Sequence, residues 1–287
     1  MRVADIKLIE CPRDAMQGWT HLIPTKEKIN YLNQLLSVGF HTLDFGSFVS
    51  PKAIPQMADT KDVLEGLQWR SSTTRLLAII ANERGAETAA ELEAIQYLGF
   101  PFSVSETFQQ KNTNSSIAAS LDRVKAIQEI SVKNGKELVI YISMGFGNPY
   151  GDVYNEEIVL RWIDTIVSLG VGIISLADTV GLATPGQVKE MTEKVIHTFP
   201  KVEVGVHLHS TPHNWEQKLQ AAIDAGCKRI DGALKGIGGC PMADNDLVGN
   251  MDTVHMIGWL EGKGYATGID PEALETALQT ANRIFVG

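Results

Sequence analysis

Cysteine is scarce in this chain of 287 residues. Cys11, Cys227 and Cys240 are odd in number and lack the spacing of a metal knuckle, so free thiols are expected rather than a disulfide framework. Basic charge is also short. Twenty-five Lys and Arg stand against 34 Asp and Glu, a formal net charge of −9. Nucleic acid or an anionic membrane calls for a basic stripe, so neither is an expected partner, and an anionic substrate needs a local positive site. No apolar run approaches the ~20 residues of a membrane-spanning helix. Met1-Arg2-Val3-Ala4-Asp5-Ile6 lacks the charged start and apolar stretch of a secretory signal. A soluble, cytoplasmic protein is expected. No repeat, low-complexity tract or linker divides the chain, so one catalytic domain over 1–287 is expected. That length suits an α/β barrel, which commonly runs to about 250 residues.

What is there alternates. Val3 to Cys11 reads as a strand, broken by Pro12-Arg13-Asp14, and a helix from Pro24 to Val38 follows, with Thr25 as N-cap and Gly39 closing it. His41 to Phe48 is the next strand. Ser50 to Pro55 is irregular, Val63 to Trp69 helical, Leu76 to Ile80 a strand, and Ala86 to Leu98 an Ala- and Glu-rich helix stopped by Gly99. Phe102 to Glu106 is a short strand, Ser116 to Val132 a helix, Leu138 to Met144 a strand, and Glu156 to Leu169 a helix. Then come the strand Gly172 to Ala177, the helix Thr184 to Thr198, a strand from Val204, the helix Trp215 to Ala225, and the strand Arg229 to Leu234. A parallel strand needs a helical crossover before the next, so this cadence predicts a (β/α)₈ TIM barrel. An open doubly wound sheet is the alternative, but no Gly-x-Gly-x-x-Gly follows the first strand.

In a barrel the C-terminal ends of all strands face one mouth. The strand Val204-Gly205-Val206-His207-Leu208-His209-Ser210-Thr211 places His207 and His209 on one side of the sheet, half of a metal site. Arg13 and Asp14 follow the first strand, Asp44 and Ser47 end the second, Ser143 the fifth, and Ser175 and Asp178 the sixth. A carboxylate from Asp14 with the two imidazoles makes a mixed oxygen and nitrogen set suited to a divalent Lewis acid. Arg13 would put a permanent cation beside it, where a developing enolate needs stabilising. The segment 232–241 carries four glycines in eight residues, from Gly232 to Gly239, which predicts a Gly-rich lid loop with Cys240 as its thiol. A thiol titrates close enough to neutrality to act as acid or base. Beyond it, Asn250 offers an amide oxygen to the metal.

These pieces resemble the hydroxymethylglutaryl-CoA lyase family, within the metal-dependent TIM-barrel lyases and synthases. The resemblance rests on Pro12-Arg13-Asp14, Ser47-Phe48-Val49-Ser50-Pro51-Lys52, Pro55-Gln56-Met57, Ile174-Ser175-Leu176 with Asp178-Thr179, Val206-His207 with His209, and Gly238-Gly239-Cys240-Pro241. It implies that Asp14, His207, His209 and Asn250 bind Mg²⁺ or Mn²⁺ and that Arg13 faces the thioester carbonyl. By the same resemblance Gln17 and Asp44 line the site, Cys240 acts from the lid, and the chain forms a homodimer. The implied reaction cleaves the acyl-CoA 3-hydroxy-3-methylglutaryl-CoA into acetyl-CoA and acetoacetate. The base stays open between the second ring nitrogen of His207, a water and Asp44. A Claisen-type synthase or a related aldolase of the same superfamily remains the alternative. The chain also departs from the family pattern. It has Ala15-Met16 for Gly-Leu, Asp44 for Glu, and Ser210-Thr211-Pro212-His213 for Asp-Thr-Tyr-Gly. One extra residue before Asn250 makes Asn245 the other choice for the last ligand.

Overall fold

The computed structural model describes residues 6–239 and 248–286. Eight parallel strands close in sequence order into a barrel, β1 (Lys7–Glu10), β2 (Thr42–Phe48), β3 (Arg75–Ile80), β4 (Ile95–Ser103), β5 (Glu137–Ser143), β6 (Ile173–Asp178), β7 (Glu203–Leu208) and β8 (Arg229–Gly232). β1 pairs with β8 through Ile9 and Asp231, and this pairing seals the ring. Around it run α1 (Pro12–Gln17), α2 (Thr25–Val38), α3 (Thr60–Glu65), α4 (Glu83–Ala90), α5 (Glu106–Thr113), α6 (Ile117–Lys133), α7 (Glu156–Ser168), α8 (Pro185–Thr198), α9 (Trp215–Asp224), α10 (Thr253–Gly262) and α11 (Pro271–Ile284). The TIM barrel expected from the strand and helix cadence is thus present. Of the expected lid, only the segment through Gly239 is described, and Cys240 lies outside the described residues. Among the described residues no helix is long and apolar enough to cross a membrane.

Strand alternation divides the apolar residues into two sets. The larger fills the layer between sheet and helices, with Leu43, Phe45, Leu76, Leu98, Phe100 and Ile140 among its members. The smaller gathers Leu77, Tyr97, Val139, Tyr141 and Ile173, alternate residues of their strands that meet inside the barrel. Several helices start on side chains that take up their free N–H groups: Asn82 for α4, Ser105 for α5, Asn155 for α7, and a reciprocal Thr184–Gln187 box for α8.

The departures from the sequence reading fall at boundaries. The helix expected to Leu98 ends at Ala90, and β4 starts at Ile95 and runs straight through Gly99. Gly99 does not stop anything. A Cβ there would lie 2.6 Å from Ile79 Cδ1 and 3.1 Å from Leu77 Cδ2, so the bare backbone makes room for neighbouring side chains inside the barrel. The strand expected to Glu106 stops at Ser103, and Glu106 opens α5 instead. Pro12-Arg13-Asp14 forms the first turn of α1, with Pro12 at a helix start where its missing N–H costs nothing. Thr25 is the first residue of α2 rather than its cap, and its Oγ1 donates to Asp59 Oδ2.

One buried acid ties the barrel to the glycine-rich segment. Glu10, at the end of β1, accepts from the Leu234 N–H at 2.8 Å and from Thr253 Oγ1. Burial pushes its carboxyl up to about 8 from 4.5, with Asp252 adding to the rise, while the bonds from Thr253 and Leu234 pull the other way. The folded chain therefore holds this proton more tightly than the unfolded chain. The stabilisation is complete below about pH 4.5 and is lost as pH rises through about 8. Glu10→Gln keeps the shape of the neutral acid. It is expected to raise Tm near pH 9 by several degrees and to leave it little changed near pH 5, since ~1 kcal/mol moves Tm by about 2–4 °C at this size. Parallel Tm profiles of parent and variant across that range in scanning calorimetry would exclude Glu10 as the source.

Candidate active site

The mouth of the barrel opens into a cleft of about 490 Å³. It is lined by Arg13, Asp14, Asp44, His207 and His209, and also by Asn82, Lys111, Asn112 and Asn114. α1 begins directly after β1, so its first turn carries Arg13 and Asp14 over the rim. Asp44 comes from β2 and the two histidines from the end of β7.

Asp14, His207 and His209 each offer a ligand atom within 4.8 Å of the others. The imidazole rings lie 5.3 Å apart, and both residues are largely buried. Asn250 joins them because the chain after the glycine-rich segment pairs back on β7. His209 bridges to Asn250, and the Ser210 N–H donates to the Gly249 carbonyl. Asn250 Nδ2 then donates to Asp14 Oδ2 at 2.7 Å and to the Ile237 carbonyl. Among the described residues Asn250 is the asparagine that reaches the carboxylate; Asn245, the other choice, lies outside them. Gly238, at φ +124°, packs against the same pair. A Cβ there would sit 2.2 Å from Asn250 Nδ2 and 2.7 Å from Asp14 Oδ2, which only glycine avoids.

Arg13 is held between two carboxylates. Its Nε and NH2 form a fork on Asp44, with NH2 2.6 Å from Oδ2, and NH1 donates to Asp14 Oδ1 at 3.0 Å. A guanidinium has five N–H groups, so this leaves two for a ligand in the cleft. Gln17 Nε2 also donates to Asp14 Oδ1. Electrostatics follows from this packing. Burial works to raise Asp14, but the charges of Arg13, His207 and His209 and the Asn250 bond outweigh it and hold the carboxyl below its usual range. Burial pushes Asp44 up to about 6 in spite of Arg13. His209 is pushed down to about 4, by burial first and then by the neighbouring His207, so its imidazole is neutral near pH 7. Burial also opposes charge on His207, but its Asp231 partner reverses the balance and raises it.

The donor set fits a divalent cation. One carboxylate, two imidazoles and an amide within reach are borderline ligands of mixed O/N type. Each histidine also has an acceptor for its second ring nitrogen. His207 Nδ1 lies 3.1 Å from Asp231 Oδ2, and the His209 ring bonds to the Thr179 backbone. Such partners orient metal-binding imidazoles.

The remaining predicted residues divide. Gln17, Asp44, Ser143 and Thr179 line the cleft together with Arg13. Ser47 and Ser175 are buried away from it, and Asp178 accepts from the Lys218 ammonium at 2.7 Å instead of facing the cleft. Their spacing placed them at strand ends but not on the mouth side. Asp231 and Lys218 escaped the sequence reading. Lys218 is fully buried, and its Nζ joins Asp178 to the carbonyls of His209 and Gly181, which ties the ends of β6 and β7 together. A lysine on the apolar face of α9, beside Leu219 and Ala222, was the available signal. For Asp231 it was a carboxylate in the last turn of an apolar strand.

Comparison with known proteins places these features in a family. The family model described as HMGL-like matches residues 6–281. The mitochondrial hydroxymethylglutaryl-CoA lyase of Mus musculus is 33% identical over 270 residues, covering 94% of this chain and 82% of that protein. A hydroxymethylglutaryl-CoA lyase of Bacillus subtilis is 33% identical over 266 residues, covering 93% and 88%. Among solved structures, an HMG-CoA lyase from Acinetobacter baumannii in complex with coenzyme A and 3-methylmalate superposes with a TM-score of 0.90 at 32% identity, covering 98% of this chain and 91% of that one.

Proposed function

Because the chain belongs to the HMGL-like family, we propose that it is a carbon–carbon lyase that cleaves 3-hydroxy-3-methylglutaryl-CoA into acetyl-CoA and acetoacetate. The observation that carries this reading is the meeting of Asp14, His207 and His209 within 4.8 Å, with the Arg13 guanidinium bonded to the same carboxylate. Asp14, His207, His209 and Asn250 are the residues that hold the divalent ion, proposed as Mg²⁺ or Mn²⁺. A bound ion supplies Lewis acidity, which lowers the pKa of the substrate's tertiary hydroxyl enough for a weak base to deprotonate it.

The protein's own groups then divide the work. Of the open choices for the base, the second ring nitrogen of His207 faces Asp231, so Asp44 or a water takes the hydroxyl proton. Asp44 lines the cleft, and a carboxyl raised to about 6 suits that task near neutral pH. As the alkoxide becomes the ketone of acetoacetate, the breaking C–C bond leaves its electron pair on the acetyl thioester as an enolate. The two N–H groups of Arg13 not taken by Asp14 and Asp44 stabilise that charge. Asn82, Lys111, Asn112 and Asn114, which line the same cleft, are proposed to face the CoA portion, with Lys111 as a cation for it.

Cys240 is proposed as the acid that protonates the enolate carbon, on the resemblance alone. Cys240→Ala is expected to cut turnover about 10²-fold or more with folding and metal content kept, the scale of lost acid-base assistance. Turnover close to the parent's would remove the thiol from the reaction. A homodimer is proposed on the same resemblance. The activity is tested by incubating the Mn²⁺-loaded protein with 3-hydroxy-3-methylglutaryl-CoA. Acetyl-CoA in equal amount to acetoacetate supports cleavage. No product from that thioester, with thiol release from acetyl-CoA that depends on a 2-oxo acid, would replace the lyase by a synthase.

A further inference from the structure

We infer that Asp231 is a positioning residue that fixes the tautomer and direction of the His207 ring, with Arg229 on the same side of its strand. The inference deepens the reading above, in which Asp14, His207 and His209 hold a divalent ion. It starts from β8. Arg229 and Asp231 are two residues apart on one strand, so both project to the same side. Arg229 pairs in register with Gly205 of β7, and Gly205 has no side chain to obstruct it. A Cβ there would lie 3.0 Å from both Arg229 Cγ and Cδ. The arginine stem lies in the room that glycine leaves, and its guanidinium sits 5.5 Å over the Tyr97 ring.

The polar atoms of this layer are unusually under-partnered for a protein interior. Arg229 NH1 reaches Glu203 Oε1 at 3.4 Å, but among the described residues Nε and NH2 meet no acceptor. Asp231 is 2% exposed, and among the described residues its Oδ1 likewise meets no donor. Its Oδ2 is occupied by His207 Nδ1 at 3.1 Å. Arg229, whose own ion pair is with Glu203 at 3.4 Å, lies on the same side of the strand as this buried carboxylate.

The chemistry of the contact sets the tautomer. An ionised carboxylate can only accept, so the nitrogen facing it must carry hydrogen. When the ring is neutral, His207 is then the Nδ1–H form, with the lone pair on Nε2, the nitrogen left to face Asp14 and His209. The Tyr141 ring, edge-on at 5.9 Å, closes one side of the imidazole and limits its rotation. A neutral group in place of Asp231 would impose neither choice.

The test compares the parent with Asp231→Leu, which has similar size and no acceptor, and Asp231→Asn, whose amide oxygen can still accept. Two readouts are used besides activity: titration with Mn²⁺ alone by calorimetry, and the ¹⁵N spectrum of labelled imidazoles in the metal-free protein. Asp231→Leu is expected to bind Mn²⁺ about 10- to 100-fold more weakly, with Asp231→Asn between it and the parent, the range seen when a metal-binding histidine loses its partner. The spectrum, recorded at a pH high enough for the His207 ring to be neutral, is expected to show its Nδ1–H form in the parent and the loss of that form in Asp231→Leu. An Asp231→Leu protein with a lowered Tm but unchanged Mn²⁺ affinity and unchanged tautomer would make Asp231 structural and overturn the inference. If the parent itself takes up no Mn²⁺, the metal reading falls and this one with it. If the parent binds and both variants bind equally, only the role of Asp231 falls.

Discussion

Replacing His209 with alanine is expected to abolish stoichiometric uptake of Mn²⁺ and to lower turnover by more than the roughly 10- to 100-fold that follows loss of a mere outer partner. The physical reason lies in how the residue is prepared. At 3% exposure, with burial and its neighbours pushing it down to about 4, His209 presents a neutral nitrogen near pH 7 and needs to shed no proton to bind a cation. Among the described residues nothing adjacent replaces it. Ser210 uses its backbone on Gly249, and Lys218 brings a positive charge to the His209 carbonyl. Calorimetric titration of parent and variant decides the matter. Equal Mn²⁺ occupancy in the two would break the site apart, whatever happened to activity. Heat of unfolding should stay near the parent's, because the side chain points into the mouth and not into the layer between sheet and helices.

The second large effect is expected from Arg13→Gln. It should lower kcat by about 10²–10³-fold, the cost of removing one donor from a developing oxyanion, with a much smaller change in KM. Two losses combine. The cleft loses the N–H groups that face the enolate, and Asp44 loses the fork that partly offsets its burial. A buried carboxyl already at about 6 then rises further and is protonated near neutral pH, which removes it as a base. Arg13→Lys is expected to recover little, since an ammonium cannot span Asp14 and Asp44 as a planar fork does. Mn²⁺ should still bind, because Asp14 keeps Asn250 and Gln17 as donors. A kcat within about tenfold of the parent would take Arg13 out of the transition state.

Most of the architecture was legible along the chain because its signals are local. Alternation of β-branched segments with amphipathic helices needs no tertiary information, and His-x-His on a strand puts two rings on one side wherever the strand goes. The errors have the same origin. Gly99 reads as a helix stop in isolation, but in the barrel it is a strand residue left bare for Ile79 and Leu77. Asp178 and Ser175 read as site residues because they lie on β6, Asp178 at its end. Yet Asp178 turns to Lys218, and Ser175 is fully buried out of the cleft.

By itself the sequence determined the eightfold alternation and the residue types able to hold a cation, together with the family resemblance those motifs carry, since each follows from spacing within a few neighbouring residues. Only the closed barrel decided which of them meet. Joining β1 to β8 sets Asp231 beneath His207, and returning the chain at Asn250 onto β7 brings an amide to Asp14 across 236 residues of sequence. Partnerships of that kind depend on which strand ends lie side by side once the sheet has curled on itself, and no local pattern of side chains encodes that.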